Sequence, residues 1–375
     1  MFTRASGIIA ARQTRESTMS DTAPTPEPYS ALALQVSTDC VNAISDPAEA
    51  RRMMMASIKR IGAKLKSSKG FVRQYNGTDV KLVVLPEYFL SGFPMGEDVP
   101  TWIAKACLDP QGAEYDALAE IAQSANVFLC GNVYETDRNF PDLYFQCCFV
   151  IDPMGHTVLR YRRLISLYAP SPCDLWEKYL DIYGMEGVFP VADTEIGRLA
   201  AIASEEILYP EVARCLLMRG AEVLLHPTSE VGSPQLTPKE IAKRARAVEN
   251  MAYVVSTNSA SLDQIPFPAA STSGMSKVID YYGHVLSEAN PGGESMVAHG
   301  LINIGSLRAA RRRTGLTNMV SRLPLQVFAQ SYRDIVFRPC GRLSQSDGSY
   351  RVPDRGEMNA WQEADIAELV KRGLL

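Results

Sequence analysis

Histidine is scarce in this 375-residue chain: His156, His226, His284 and His299 are the only four. They lie far apart, with no cysteine or carboxylate at metal-ligand spacing, so neither a zinc site nor a Ser-His-Asp triad is signalled. G-x-S-x-G, G-x-G-x-x-G and P-loop patterns are also absent, which removes the usual α/β-hydrolase and nucleotide-binding readings. No apolar run reaches the ~20 residues needed to cross a bilayer. A net charge of −4 argues against general polyanion binding. The eight cysteines contain no C-x-x-C pair, and Cys147 and Cys148 adjoin inside a strand-like run. Buried reduced thiols fit this better than a disulfide framework. The expectations are a cytoplasmic protein with no cofactor, no bound metal, no membrane and no nucleic-acid partner.

With 46% hydrophobic and 21% charged residues, the chain has ample material for a core. From residue 31 strands alternate with helices. Residues 31–37 read as a strand, and Asp46-Pro47-Ala48-Glu49 as a helix cap with a reciprocal glutamate. Met54, Ile58, Ile61 and Leu65 continue on one helical face. A strand at 81–86, a helix near 112–125 and strands near 127–134 and 143–152 follow. Thr237-Pro238-Lys239-Glu240 forms a second capping box, opening a helix with Ile241, Ala245 and Val248 turned inward. Val150-Ile151-Asp152 with Gly155-His156 reappears as Val278-Ile279-Asp280 with Gly283-His284. Both read as strand, tight turn, strand, and two such hairpins suit two sheets packed face to face, each backed by helices. Residues 1–29 carry Arg4, Arg12 and Arg15 with no acid before Glu16. They read as a disordered extension, with Met19-Ser20-Asp21 as an alternative beginning. A domain at 30–305 is expected next, then an extension at 306–375 whose basic run at 308–313 reads as a solvated helix face or a subunit contact.

The most informative stretch is RLAAIASEEILYPEVAR, residues 198–214. A short apolar run ends at Ser204-Glu205-Glu206, and Pro210 opens a helix with Val212, Cys215 and Leu216 on one face. Ser204 therefore sits at a strand's carboxyl end beside a helix amino terminus, where open α/β sheets place their chemistry. The segment resembles the nucleophile motif of the nitrilase superfamily, the carbon-nitrogen hydrolases, in which cysteine stands at the position of Ser204 and Tyr/Phe-Pro-Glu follows, here Tyr209-Pro210-Glu211. KLVVLPEYFLSGFP (81–94) resembles the strand ending in the family's glutamate, which gives Glu87. VLRYRRLISL (158–167) resembles the strand carrying its lysine, a position filled here by Arg163. RGAEVLLHPTSE (219–230), KRARAVENMAYVVSTN (243–258) and SGMSKVIDYYGHVL (273–286) resemble later blocks.

The resemblance implies a four-layer αββα sandwich and a homodimer or larger assembly in which the tail reaches a second subunit. It also implies amidase-type hydrolysis of a small amide or related carbon-nitrogen compound, with a carboxylate as base, a cation and a nucleophile. Serine for cysteine removes a partly ionised thiol. Arginine for lysine brings a planar, permanently charged group able to clasp Glu87. Three readings follow: Ser204 as nucleophile with Glu87 and Arg163, an inactive pocket that binds a small carboxylate, or non-covalent acid–base chemistry on an acidic substrate with Glu87 or Glu206. Strand alternation sends Arg162 to the face opposite Arg163. Supporting candidates are Glu206, as a brace of the turn, Glu177 and Glu135 for an additional acid, Cys173 beside the cleft, His226 near its edge, and Trp176 with Tyr88, Phe89 and Phe93 as walls.

Overall fold

The computed structural model describes residues 25–333 and 335–375, so the expected extension at 1–29 lies almost wholly outside the described residues. In chain order the elements are β1 (Tyr29–Ala33), β2 (Thr38–Asp39), α1 (Pro47–Asn76), β3 (Val80–Val84), α2 (Val99–Ala106), α3 (Ala113–Ala125), β4 (Phe128–Thr136), β5 (Tyr144–Ile151), β6 (Thr157–Arg162) and α4 (Trp176–Val188). There follow β7 (Ala192–Thr194), β8 (Gly197–Ala201), α5 (Pro210–Leu217), β9 (Val223–Thr228), α6 (Pro238–Asn250), β10 (Tyr253–Asn258), β11 (Leu262–Asp263), β12 (Lys277–Ile279), β13 (Val285–Glu288), β14 (His299–Ile302), α7 (Ile304–Arg312), α8 (Leu325–Arg333) and α9 (Arg355–Lys371).

Among the described residues the strands form two six-stranded sheets, ordered β14-β1-β3-β4-β5-β6 and β13-β12-β10-β9-β8-β7, plus a β2-β11 ribbon. Each large sheet has three consecutive parallel strands, β1-β3-β4 in one and β8-β9-β10 in the other, continued by an antiparallel hairpin. The two echoed sequences are those hairpin turns. Asp152 N donates to His156 O and Asp280 N to His284 O, both at 2.9 Å. The repeated words in the sequence therefore mark equivalent corners of two similarly wound sheets.

Strand alternation decides which face each side chain covers. Ala31, Ala33, Leu82 and Val84 point into a core shared with Leu199, Val223, Val254 and Ile279 of the other sheet. Leu32 and Val83 point outward, to Met54, Ile58, Ile61 and Leu65 of α1 and Leu118 of α3. Helices thus cover the outer faces of two packed sheets, an αββα sandwich, and each fully buried aliphatic side chain adds about 1.5–3 kcal/mol. Asp46 caps α1 by accepting from Ala48 N at 3.0 Å. No helix among the described residues is long and apolar enough to cross a membrane.

Three local expectations change. Helix α6 turns Ala242, Lys243, Arg246, Ala247 and Asn250 inward, whereas Ile241 and Val248 are exposed. Lys243 is fully buried because Glu230 at 2.7 Å and Glu240 both neutralise it. Glu240 consequently does not reciprocate in a capping box; Thr237 Oγ1 still accepts from Glu240 N at 3.3 Å. The basic run at 308–313 is not simply a solvated face. Arg308 grips Glu222 at 2.7 and 3.1 Å, and Arg311 donates to the carbonyls of Met251, Ala221 and Asn250. Finally, Cys40, Cys107, Cys130, Cys147 and Cys148 are buried, but Cys173 and Cys215 are half-buried and Cys340 is exposed.

Candidate active site

The carboxyl ends of β3, β6 and β8 deliver three segments to one place. Just past β3, Glu87 is 3% exposed. Its Oε1 accepts from Gln146 Nε2 at 2.7 Å and its Oε2 from Ser229 N at 3.0 Å. Arg163 follows β6. Its Nε donates to Ile165 O at 2.7 Å, its Nη1 to Gln146 Oε1 at 2.9 Å, and its Nη2 to Glu205. The nearest Glu87 oxygen is 3.6 Å from Nη1. The guanidinium is thus clasped mainly by Glu205 and Gln146, with the Gln146 amide bridging it to Glu87. Burial alone would disfavour its charge, but Glu87, Glu205 and Glu206 outweigh that and hold its pKa above the ordinary guanidinium value. Arg162 points the other way, pairing with Asp137 at 2.5 Å and lying 4.7 Å from the centre of the Phe145 ring.

After β8 the chain turns sharply into a 3₁₀ segment, Ser204–Leu208, and then α5. Ser204 takes the left-handed backbone region, φ +48°, a conformation that costs a side-chain-bearing residue energy unless its surroundings enforce it. The enforcement is visible. His226 Nε2 lies 2.7 Å from Ser204 O, and His226 Nδ1 lies 2.9 Å from Ser256 Oγ. Burial, followed by the nearby Lys243 charge, holds the His226 pKa well below its ordinary value despite the contact with Ser204 O. A neutral ring facing a carbonyl must carry its proton on Nε2, so it donates to Ser204 O and accepts from Ser256.

Glu206 is a second brace. Its Oε1 accepts from Leu164 N and Ile165 N at 2.7 and 2.9 Å, and its Oε2 from Tyr161 Oη at 2.8 Å and Ala203 N at 3.3 Å. Complete burial pushes its pKa up to about 7 against the pull of Arg163 and these donors. One carboxylate thereby ties the residues just after Arg163 to the residue just before Ser204.

Glu87, Gln146, Arg163, Ser204, Lys239 and Arg355 line a single cavity of about 380 Å³. Lys239, in the first turn of α6, places Nζ 3.1 Å from Ser204 Oγ. Sequence spacing gives no hint of this contact. The Thr237-Pro238 cap marks where the helix starts, but not which end of which strand it faces. Gln146 is equally silent, lying mid-strand in an apolar run. Of the apolar candidates, Tyr88 and Phe93 line the cavity, whereas Phe89 is core.

Besides Phe89 and the two braces Glu206 and His226, four further candidates fall outside the cavity walls. Glu135 is sealed between Tyr115 Oη at 3.0 Å and Arg160 Nε at 2.9 Å, because alternation along β4 turns it to the helix-covered face. Glu177 is exposed on α4. Trp176 packs against a third apolar cluster that includes Leu175, Tyr179 and Leu343. Cys173 faces Cys340, with their sulfurs 2.7 Å apart. Among the described residues no group of three histidine, cysteine or acidic side chains is arranged to hold a metal ion.

The family model described as carbon-nitrogen hydrolase matches residues 40–312. The Caenorhabditis elegans nitrilase and fragile histidine triad fusion protein NitFhit is 27% identical over 241 residues, covering 63% of this chain and 52% of that protein. This chain therefore spans about half the length of that relative. The omega-amidase NIT2 of Homo sapiens is 26% identical over 249 residues, covering 65% of this chain and 84% of that protein. Among solved structures, Saccharomyces cerevisiae Nit3, described as a member of branch 10 of the nitrilase superfamily, is similar in fold with a TM-score of 0.58 at 20% identity, covering 80% of this chain and 98% of that one. The matched region contains both large sheets apart from β1, and every cavity residue discussed above except Arg355; the chain belongs to the carbon-nitrogen hydrolase family.

Proposed function

We propose that this protein hydrolyses a small amide or related carbon-nitrogen compound, with Ser204 as nucleophile in the position that the family fills with cysteine and Arg163 in that of its lysine. The observation that carries the reading is the 3.1 Å contact between Lys239 Nζ and Ser204 Oγ, in a cavity that Glu87 also lines. A serine hydroxyl lacks the acidity of a thiol and needs both a base and a nearby positive charge. Lys239 donates to a lone pair of Oγ, which leaves the hydroxyl proton for the Glu87 carboxylate. As Oγ attacks the amide carbon, Glu87 takes that proton and the ammonium of Lys239 stabilises the oxyanion. Glu87 then protonates the departing amine, leaving an ester on Ser204. Water, deprotonated by Glu87, attacks the ester carbon, and Glu87 returns that proton to Ser204 Oγ as the C–O bond breaks and the acid is released. Arg163, with its N–H groups committed to Ile165, Gln146 and Glu205, keeps Gln146 and hence Glu87 in place.

The test is covalent. Brief incubation with a panel of simple amides, followed by acid quench and peptide mass analysis, should place an acyl group on the peptide containing Ser204. A protein that turns over amides with no such adduct, and equally well as Ser204→Ala, would overturn the assignment. Lys239→Gln should lower kcat by about 10²–10³-fold, as loss of an oxyanion donor does, with KM little changed. Because Lys239 is half exposed, thermal stability should stay near that of the parent. Equal kcat in the variant would remove Lys239 from the chemistry.

A second reading has its own support. Lys239 and Arg355 have no carboxylate partner among the described residues, so the cavity also suits a carboxylate ligand held without turnover. Tight dicarboxylate binding with no hydrolysis of any amide, unchanged in Ser204→Ala, would favour it.

A further inference from the structure

The tail beyond the matched family region folds back over the cavity. Gly341 N donates to Cys173 O at 2.7 Å and Leu343 N to Asp174 O at 3.1 Å. Arg342 pairs with Asp365 of α9, with its guanidinium 5.5 Å from the centre of the Trp361 ring. These contacts set α9 against the cavity mouth, and its first residue, Arg355, becomes part of the wall. Arg355 Nη2 donates to Pro94 O at 2.8 Å, and the guanidinium lies 5.0 Å from the centre of the Tyr168 ring. A carbonyl and an aromatic face position the group without neutralising it. Arg163 is matched by Glu205, whereas Arg355 and Lys239 have no acidic partner among the described residues. A planar cation held in place with donors to spare is suited to a carboxylate.

We propose that Arg355 is a specificity-determining residue that binds a carboxylate of the ligand, so that the substrate class is amides that also bear a carboxylate. Only the word substrate rests on the hydrolase reading; the anion site stands without turnover. One arm of the test therefore measures binding alone. Succinate is titrated calorimetrically into Ser204→Ala protein and into the Ser204→Ala, Arg355→Gln double variant at fixed ionic strength, with neutral succinamide as control. Loss of a charge-assisted hydrogen bond should weaken succinate about 10–100-fold and leave succinamide unaffected, with partial rescue by Arg355→Lys. Equal succinate affinity in both proteins, or none in either, would overturn the proposal. The second arm compares KM for the half-amide of succinate and for propionamide with Ser204 intact. Arg355→Gln should raise the first and spare the second. Arg355-dependent succinate binding without hydrolysis of either amide would support the anion site while sinking the hydrolase reading.

A different observation carries a second inference. Cys173 and Cys340 are 167 residues apart in sequence, yet their sulfurs lie 2.7 Å apart. Cys340 is exposed, Cys173 is half-buried, and the Gly341–Cys173 backbone bond fixes the two segments beside each other. We infer that the two thiols form a disulfide when exposed to glutathione disulfide, stapling the tail that carries Arg355 to the loop beside the cavity. The exposed Cys340 attacks one glutathione sulfur, forming a mixed disulfide and releasing one glutathione thiol. Cys173 then attacks the Cys340 sulfur and releases the second, so two thiols are oxidised as one glutathione disulfide is reduced. Burial and the Cys340 contact push the Cys173 thiol up to about 12, which keeps it from competing for the first step; its attack in the second rests on its position beside the Cys340 sulfur. Intact mass after equilibration in glutathione buffers should fall by two hydrogens, with the Cys173 and Cys340 peptides linked after digestion without reductant. Cys340→Ser should lose the link. Full alkylation of both thiols at every glutathione ratio, or glutathione retained on Cys340 without cross-linking, would overturn the inference.

Discussion

Replacing Ser204 by alanine should lower kcat at least ~10³-fold on the proposed mechanism, in which the nucleophile acts as a unit with its base and its oxyanion donor and cannot be partly replaced by them. Ligand binding should survive, since Glu87, Arg163 and Arg355 keep their partners and Lys239 loses only its contact with Oγ. The fold should survive too: alanine and serine each carry a Cβ into the φ +48° conformation, and the braces from His226 and Glu206 act through the backbone. Ser204→Cys provides the informative contrast. The turn resembles the family's nucleophile motif, and a thiol is far more ionised near neutrality than a hydroxyl, so turnover at or above the parent level is expected. Steady-state assays with the same amide panel decide the matter. If activity appears only when Ser204→Cys is combined with Arg163→Lys, the parent site is a carboxylate pocket and the nucleophile assignment fails.

The parts of this architecture that were legible in the sequence are those governed by local periodicity. Leu82, Val83 and Val84 alternate between the inter-sheet core and the helix-facing core, and two-residue alternation is visible in any strand. Met54, Ile58, Ile61 and Leu65 share a helical face for the same reason. Helix α6 defeats that logic. Its inward face is made of small residues and of charges neutralised by distant partners, including Glu230 for Lys243. Hydropathy reads a charged residue as solvent-facing, and only the tertiary fold supplies the counter-charge. The orientation of Lys239 is hidden with it, since it depends on which side of α6 meets the Ser204–Leu208 turn after β8. Glu87, Arg163 and Ser204 were readable because each ends a strand within a distinctive local motif. Glu135 also ends a strand, but two-residue alternation sends it to Tyr115 and Arg160 instead. Arg355 is invisible to local pattern altogether, since nothing near it in sequence indicates that the tail doubles back.

That doubling back alters how the site is assembled. The three strand-end segments supply a hydroxyl, a carboxylate and a clasped guanidinium, all fixed by the sheets and their immediate turns. The lysine comes from a helix cap and Arg355 from the tail, so the two cavity cations without acidic partners among the described residues are carried by elements outside the strands. Changes in α6 or the tail can therefore retune ligand preference without disturbing the strand ends.

Glu206 is where the sheet-borne parts are most vulnerable. Glu206→Ala should destabilise the protein by about 3–5 kcal/mol, because it leaves Leu164 N, Ile165 N and Tyr161 Oη buried without an acceptor. Urea unfolding should show a lower midpoint with an unchanged slope. Activity should fall as well, since Glu206 ties the segment after Arg163 to the residue before Ser204. The pH dependence gives a sharper test. Burial raises the carboxyl pKa from an ordinary 4.5 to about 7 in the folded state, so between those values the folded protein binds more protons than the unfolded chain. The stabilisation from this group is then fully present below about pH 4.5 and is lost as pH rises towards 7. Glu206→Gln does not titrate, so the stability advantage of the parent over that variant should shrink by roughly 3 kcal/mol across the interval and level off above it. A gap that stays constant with pH would mean that the four donors offset burial and that Glu206 ionises in the folded protein as it does in the unfolded chain. The carboxylate would then brace the Ser204 turn as a permanent anion, and its charge would add to those of Glu87 and Glu205 in holding Arg163.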